Sequence, residues 1–267
     1  MVSQEIINQA AQLLTDQYLS DQPFLLSDGL VPNTLDEAYE IQKAFQSNLI
    51  GKQGPVVGYK LAYTTSALQQ NNGVTEPCMG LMLEKNIRYS PTELSSTDFV
   101  QLGIECEVGV SLKHDLSYDE APYDVDKVSE AVESIMPAFE VIDNRRTPGL
   151  PTDINLKIAV ASNISNAGVI LGEPVSNWKE IDLISAYGYM SINNRLVGDG
   201  HGYDVMGHPL NPLAWLANKL SSQGISLPAK SIIITGSIVS PKFLTTGDSA
   251  FISVSYTHLT LPTILLV

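Results

Sequence analysis

The stretch GIECEVGV, Gly103–Val110, is patterned like a buried strand yet carries two acids. Ile104, Cys106, Val108 and Val110 alternate with Gly103, Glu105, Glu107 and Gly109, the period-two pattern of an extended chain. Side chains two apart in a strand point the same way, about 7 Å from one another. Glu105 and Glu107 therefore share one face, and Cys106 belongs to the opposite one, where it is read as core. Two buried carboxylates side by side are costly, because desolvation and mutual repulsion disfavour their charged forms unless something positive compensates. A second apolar run, MPAFEVID (Met136–Asp143), holds Glu140 between Phe139 and Val141. Three carboxylates on apolar strands are hard oxygen ligands of the kind that hold magnesium or manganese with positions left for water and substrate. The plainer alternative places all three on solvent-facing strand surfaces.

Outward from these two strands, the N-terminal part reads as helical and the remainder as mixed and strand-rich. Ile6, Ile7, Ala10, Leu13, Leu14 and Tyr18 recur at helical spacing over residues 4–19. A second helix follows Thr34, a candidate N-cap with Glu37 at the capping-box position. GPVVGYKLAYT reads as a strand, and TSALQQNNGV as a short helix ending near Gly73. Strands are expected at about 98–112 and 135–143 with a helix at 122–134 between them, then a strand at AGVILG. AYGYMSINNRLVGDG reads as a hairpin turning at Asn193 and Asn194. A helix over NPLAWLANKLSSQG and strands at 231–236 and 250–255 complete the pattern.

Composition narrows the function. The 267 residues are 44% hydrophobic, enough for a substantial core. A net charge of −14 argues against a nucleic-acid partner, since phosphate binding rests on clustered lysine and arginine. No apolar run approaches the roughly 20 residues that cross a bilayer, and the N-terminus lacks the basic start and apolar centre of a signal peptide, so no membrane association and a cytoplasmic location are expected. The two cysteines, Cys78 and Cys106, show neither zinc-ligand spacing nor a disulfide framework.

IECEVGV and MPAFEVID resemble the paired metal-binding motifs of the fumarylacetoacetase-like superfamily, in the branch of 2-hydroxypentadienoate (2-keto-4-pentenoate) hydratases and 4-oxalocrotonate decarboxylases. The resemblance runs in order through GYKLAYT (Gly58–Thr64), GVTEPCMG (Gly73–Gly80), SNAGVILG (Ser165–Gly172), GHPLNPLAWLANKL (Gly207–Leu220) and IIITGS (Ile232–Ser237), covering about residues 3–254. It implies an α+β, β-rich fold: a β-roll like the fumarylacetoacetase C-terminal domain over residues 55–254, preceded by a small helical region over 1–54. Residues 255–267, SYTHLTLPTILLV, do not match and read as a non-native tail, so His258 is left out of the site.

The resemblance further implies that Glu105, Glu107 and Glu140 ligate Mg2+ or Mn2+. Lys60 would lie near the substrate carboxylate and act with Ser165 in catalysis. Thr64 and Ser165 would supply hydroxyls, and Thr235 and Gly236 a loop closing over the bound acid. His208, before Pro209, is read as ordering a turn. The implied partner is a small 2-oxo or 2-hydroxy-dienoate, and the implied assembly is a homo-oligomer, with a related hydratase or decarboxylase subunit as a further partner. The implied reaction is hydration of 2-hydroxypenta-2,4-dienoate in the meta-cleavage degradation of aromatics. Decarboxylation of 2-oxo-3-hexenedioate, acylpyruvate hydrolysis, or an impaired metal-binding partner subunit are the alternatives. Two departures bear on that choice. Cys78 stands where many hydratases of the branch have an aspartate, which tilts towards decarboxylation or a modified hydration, and Ser162 replaces an acid before Asn163.

Overall fold

Antiparallel pairing of GIECEVGV with MPAFEVID builds the centre of the molecule. The computed structural model describes residues 2–256 and 259–267. Its strands are β1 (Val56–Ala62), β2 (Cys78–Leu83), β3 (Ile87–Tyr89), β4 (Thr92–Glu93), β5 (Leu102–Leu112), β6 (Val132–Asp143), β7 (Asn166–Leu171), β8 (Tyr187–Ile192), β9 (Arg195–His201), β10 (Ile232–Phe243), β11 (Ser249–Tyr256) and β12 (Leu259–Leu266). The α-helices are α1 (Gln4–Leu19), α2 (Leu35–Gln53), α3 (Ser66–Asn72), α4 (Val125–Ala131), α5 (Thr152–Ala161) and α6 (Asn211–Ser221). A seven-stranded sheet runs β2-β1-β10-β5-β6-β7-β3, and a five-stranded sheet runs β4-β12-β11-β8-β9. They pack through β10 against β8 and β9, and through β6 against β11 and β12. This is the β-rich α+β fold that the sequence motifs imply.

Local chemistry sets most element ends. Thr34 accepts the Glu37 N–H as N-cap of α2, while the Glu37 carboxylate takes the N–H groups of Asn33 and Val2 instead of completing a capping box. Gly73, with φ +70°, ends α3 in the left-handed conformation that glycine adopts without strain. Asn193 and Asn194 both have positive φ, as a two-residue hairpin turn requires. Helix α1 packs on α2, and α2 packs on α5 and β2. Ile41, Phe45 and Leu14 are fully enclosed there, each worth about 1.5–3 kcal/mol of burial.

Two expected element boundaries change. The helix expected at 122–134 stops at Ala131, because Val132–Ser134 extend β6 and pair with β5 as far as Leu112. Pro137 is tolerated inside this central strand. It turns its carbonyl towards the Gly172 N–H, just past the end of β7, where its missing N–H leaves no ladder bond unmade. The strand expected at 231–236 continues to Phe243 through register shifts against β5. The backbone of residues 259–266, inside the segment read as a tail, forms β12 and pairs with β11 along its length and with β4. His258 lies outside the described residues. Among the described residues, no helix is long and apolar enough to cross a membrane.

Candidate metal centre and substrate cavity

The pleat decides which side of β5 becomes the site. Ile104, Cys106, Val108 and Val110 are fully buried in the core, and Cys106 Sγ points towards Gly188 of the second sheet. Glu105 and Glu107 emerge on the other face. The register sets Glu105 opposite Glu140 and Glu107 opposite Ala138, so the third carboxylate arrives beside the first two from the neighbouring strand. One ligand oxygen from each of the three lies within 4.8 Å of the others.

Lys60, on β1, is the positive group that such a cluster demands. Its ammonium lies 3.0 Å from Glu140 Oε1, and both side chains are almost wholly enclosed. Asn166 Nδ2 donates to the same oxygen at 2.9 Å, and the Gly236 N–H donates to Glu107 Oε2 at 2.7 Å. Gly236 has φ +113°, and a Cβ there would come within 2.0 Å of Thr64 Oγ1, so only glycine lets β10 approach Thr64 this closely. Two oxygens remain without partners among the described residues: Glu107 Oε1 and Glu140 Oε2 are buried and accept no hydrogen bond from them.

The electrostatics show how incomplete this balance is. Burial, then the Glu140 charge, pushes the Glu105 carboxyl up to about 8. Burial, with Glu140 and Glu105 beside it, holds Glu107 well above the usual carboxylate range. Burial pulls the Lys60 ammonium down, but Glu140, Glu105 and Glu107 together outweigh it and raise it. One lysine does not neutralise three carboxylates. Orphaned buried oxygens from an all-oxygen donor set, with carboxyls forced towards their neutral forms, fit a divalent cation.

A stability prediction follows. Glu105 and Glu107 bind protons more tightly in the folded chain than in the unfolded one, so folding is favoured at low pH and loses ground as pH rises from the ordinary carboxylate range through about 8. Urea denaturation in EDTA should show that decline, and excess magnesium should flatten it. A pH-independent midpoint in EDTA would contradict the arrangement.

Above the carboxylates opens a cavity of about 540 Å³, lined by Lys60, Tyr63, Thr64, Glu105, Ser165 and Arg146 among others, with apolar walls from Leu61, Ile142, Ile164 and Phe243. Ser165 reaches it because Asn163, Ile164 and Ser165 all adopt positive φ, an unusual run for residues other than glycine. Asn163 anchors that turn by accepting the Leu81 N–H and donating to the Leu81 carbonyl.

Of the residues predicted from sequence, Glu105, Glu107, Glu140, Lys60, Thr64 and Ser165 come together here. Thr235 does not present its hydroxyl to the cavity. It donates to the Val108 carbonyl, and Thr235 and Gly236 sit inside β10 because that strand continues past them. His208 Nδ1 accepts the Leu210 N–H at a turn. Cys78 is buried, does not line the cavity, and has its thiol pushed up to about 11 by burial. Ser162 donates to the Ile158 and Ala159 carbonyls. Asn166, Tyr63 and Arg146 are not predicted as site residues. Asn166 directly follows the predicted Ser165, but nothing in the sequence marks it as a ligand to Glu140.

Comparison with known proteins decides the family. A 2-keto-4-pentenoate hydratase of Paraburkholderia xenovorans (strain LB400) is 30% identical over 234 residues, 86% of this chain and 84% of that protein. The chain belongs to the 2-keto-4-pentenoate hydratase and 4-oxalocrotonate decarboxylase branch of the fumarylacetoacetase-like superfamily. A 4-oxalocrotonate decarboxylase of Pseudomonas putida, also in this branch, is 30% identical over 216 residues, 81% of this chain and 80% of that one. A solved 4-oxalocrotonate decarboxylase from Pseudomonas putida G7, complexed with magnesium and adipate, superposes with a TM-score of 0.89 at 25% identity, covering 100% of this chain and 98% of that one. No family model matches the chain. Hydratases and decarboxylases are both lyases, so the branch fixes the class of chemistry more firmly than the bond broken.

Proposed function

We propose that this chain is a metal-dependent hydratase that adds water to 2-hydroxypenta-2,4-dienoate or a related 2-oxo-enoate, giving 4-hydroxy-2-oxopentanoate from the former. The observation that carries this reading is the pair of orphaned carboxylate oxygens, Glu107 Oε1 and Glu140 Oε2, beside the Lys60 ammonium and the cavity. Glu105, Glu107 and Glu140 would hold the cation, and their all-oxygen character favours magnesium or manganese. When bound, such an ion supplies Lewis-acid polarisation of a 2-oxo acid and stabilises negative charge at its enolate oxygen.

The chain's own residues orient the substrate. Lys60 keeps its positive charge because the carboxylates around it raise its pKa, and it would pair with the substrate carboxylate. Thr64 and Ser165 place hydroxyls on the cavity wall, where Ser165 would hand a proton to or from the reacting carbon skeleton. Ile142, Ile164 and Phe243 keep the walls apolar, which strengthens each of these electrostatic contacts. Replacing Lys60 with methionine should raise KM at least about tenfold with a smaller change in kcat, if its contact forms in the ground state. A loss confined to kcat would instead place Lys60 in the chemical step.

Decarboxylation of 2-oxo-3-hexenedioate is the second reading. It is favoured by Cys78, whose buried, neutral thiol offers no replacement for a water-activating carboxylate. One assay separates the two: magnesium-supplemented protein with each substrate, following ultraviolet absorbance and carbon dioxide release, with EDTA as control. Absorbance loss without carbon dioxide on the dienoate establishes the hydratase. Metal-dependent carbon dioxide release makes the protein a decarboxylase. Silence on both, from folded protein, points to an acylpyruvate hydrolase or an impaired partner subunit.

A further inference from the structure

Beyond its last paired residue, β6 sends two consecutive arginines to opposite sides. Arg145 is buried and ion-paired with Asp143 and Asp21. Arg146 faces the other way, and Ile142, Asn144 and Arg146, two apart, all line the cavity above the carboxylates. Its guanidinium makes no ion pair among the described residues, although the chain has 29 acidic and only 15 basic residues to match. Among the described residues its guanidinium makes one hydrogen bond, from Nη2 to the Tyr63 hydroxyl at 3.4 Å. Lys60, Glu105 and Asp204 are the other charged groups on this wall. Lys60 sits at the carboxylate cluster, ion-paired with Glu140, and Asp204 Oδ2 accepts the His201 N–H.

The cavity therefore has two cationic positions with different surroundings. One is at the carboxylate cluster; the other, Arg146, is partnered only by a phenol and bordered by apolar side chains. An arginine fork is matched to a planar carboxylate, and Arg146, although itself exposed, lines a cavity whose other walls include Ile142, Ile164 and Phe243. We propose that Arg146, with the Tyr63 hydroxyl, forms a subsite for the distal carboxylate of a dicarboxylic 2-oxo-enoate, and so selects diacids over monoacids. This rests on the reading of the carboxylate cluster as the site that holds the 2-oxo acid end. The preferred substrate would then be one of the related 2-oxo-enoates with a second terminal carboxylate, in place of the monoacid 2-hydroxypenta-2,4-dienoate, whichever bond is broken.

The test uses the full chain loaded with magnesium and two unreactive probes of equal length, adipate and hexanoate, which differ only at the far end. Calorimetric titration should show adipate binding more tightly by about tenfold or more, the scale of a hydrogen-bonded charge pair. In Arg146→Met the ratio of the two affinities should fall close to one. Equal affinities in the unaltered protein, or a ratio that survives the substitution, would overturn the subsite. Turnover is followed in parallel with a diacid and a monoacid substrate. If neither reacts while the adipate preference still depends on Arg146, the proposed reaction is wrong and the subsite stands. If neither probe binds in the presence of magnesium, the subsite falls with the site it rests on.

Discussion

Glu107→Gln should abolish turnover and yet make the metal-free protein more stable. Glu107 is fully buried, one of its oxygens has no partner, and burial and the neighbouring carboxylates hold it towards its neutral form. Its charge is thus a burden on the metal-free fold and is useful only when a cation shares it. Glutamine has nearly the same shape and can still accept the Gly236 N–H, but it carries no charge. Metal affinity should fall steeply, and activity with it by about 10³-fold or more, the scale of several kcal/mol of charge stabilisation. In EDTA near neutral pH, the variant should gain about 1–3 kcal/mol, the desolvation cost of one unsatisfied group. Magnesium titration by calorimetry and urea denaturation measure both halves. Unchanged metal affinity would remove Glu107 from the ligand set. Lost stability in EDTA would show that its role in the fold outweighs the repulsion.

The carboxylates were legible in the sequence because a strand's period of two is a hard geometric rule. Once Glu105 and Glu107 alternate with Ile104, Cys106 and Val108, their common face follows without knowledge of the rest of the chain. The arrival of Glu140 opposite Glu105 needs the β5–β6 register, which only the fold gives; the resemblance implied that the three act together, not how their strands pair. Helix α5 shows the opposite case. Ile154, Leu156, Ile158 and Val160 alternate with Asn155, Lys157 and Ala159, a strand-like spacing, yet this segment is helical and packs on α2. Tertiary packing outweighed the local pattern there. Thr235 went to the sheet and not the cavity because the length of β10 depends on its pairing with β5, a long-range property. Nothing in the sequence distinguishes Arg145 from Arg146, and only the fold separates their roles.

Arg145→Ala should cost about 3–5 kcal/mol of stability, the penalty for breaking a buried ion pair and leaving its partner exposed to an apolar interior. The guanidinium is only 3% exposed and donates from all three nitrogens: Nε to Asp143 Oδ2 at 2.6 Å, Nη2 to Asp21 Oδ1 at 3.1 Å, and Nη1 to the carbonyls of Gln17, Tyr18 and Gln22. It also lies over the rings of Tyr18 and Phe24. These contacts tie the end of α1 and its connector to the end of β6, and the Phe24 N–H returns a bond to the Arg145 carbonyl. Asp143, which holds Arg145, also accepts the Gln101 N–H leading into β5, so the clasp reaches both strands that carry the glutamates. Arg145→Lys should recover little, because a single ammonium cannot reproduce a fork directed at two carboxylates and three carbonyls. Arg146→Met, one residue away but exposed, should change stability by no more than about 0.5 kcal/mol. Urea denaturation of the three variants decides this. Equal losses at 145 and 146 would mean that the α1–β6 clasp does not hold the cavity wall, whereas a large loss at 145 alone makes Arg145 the brace against which Arg146 faces the substrate.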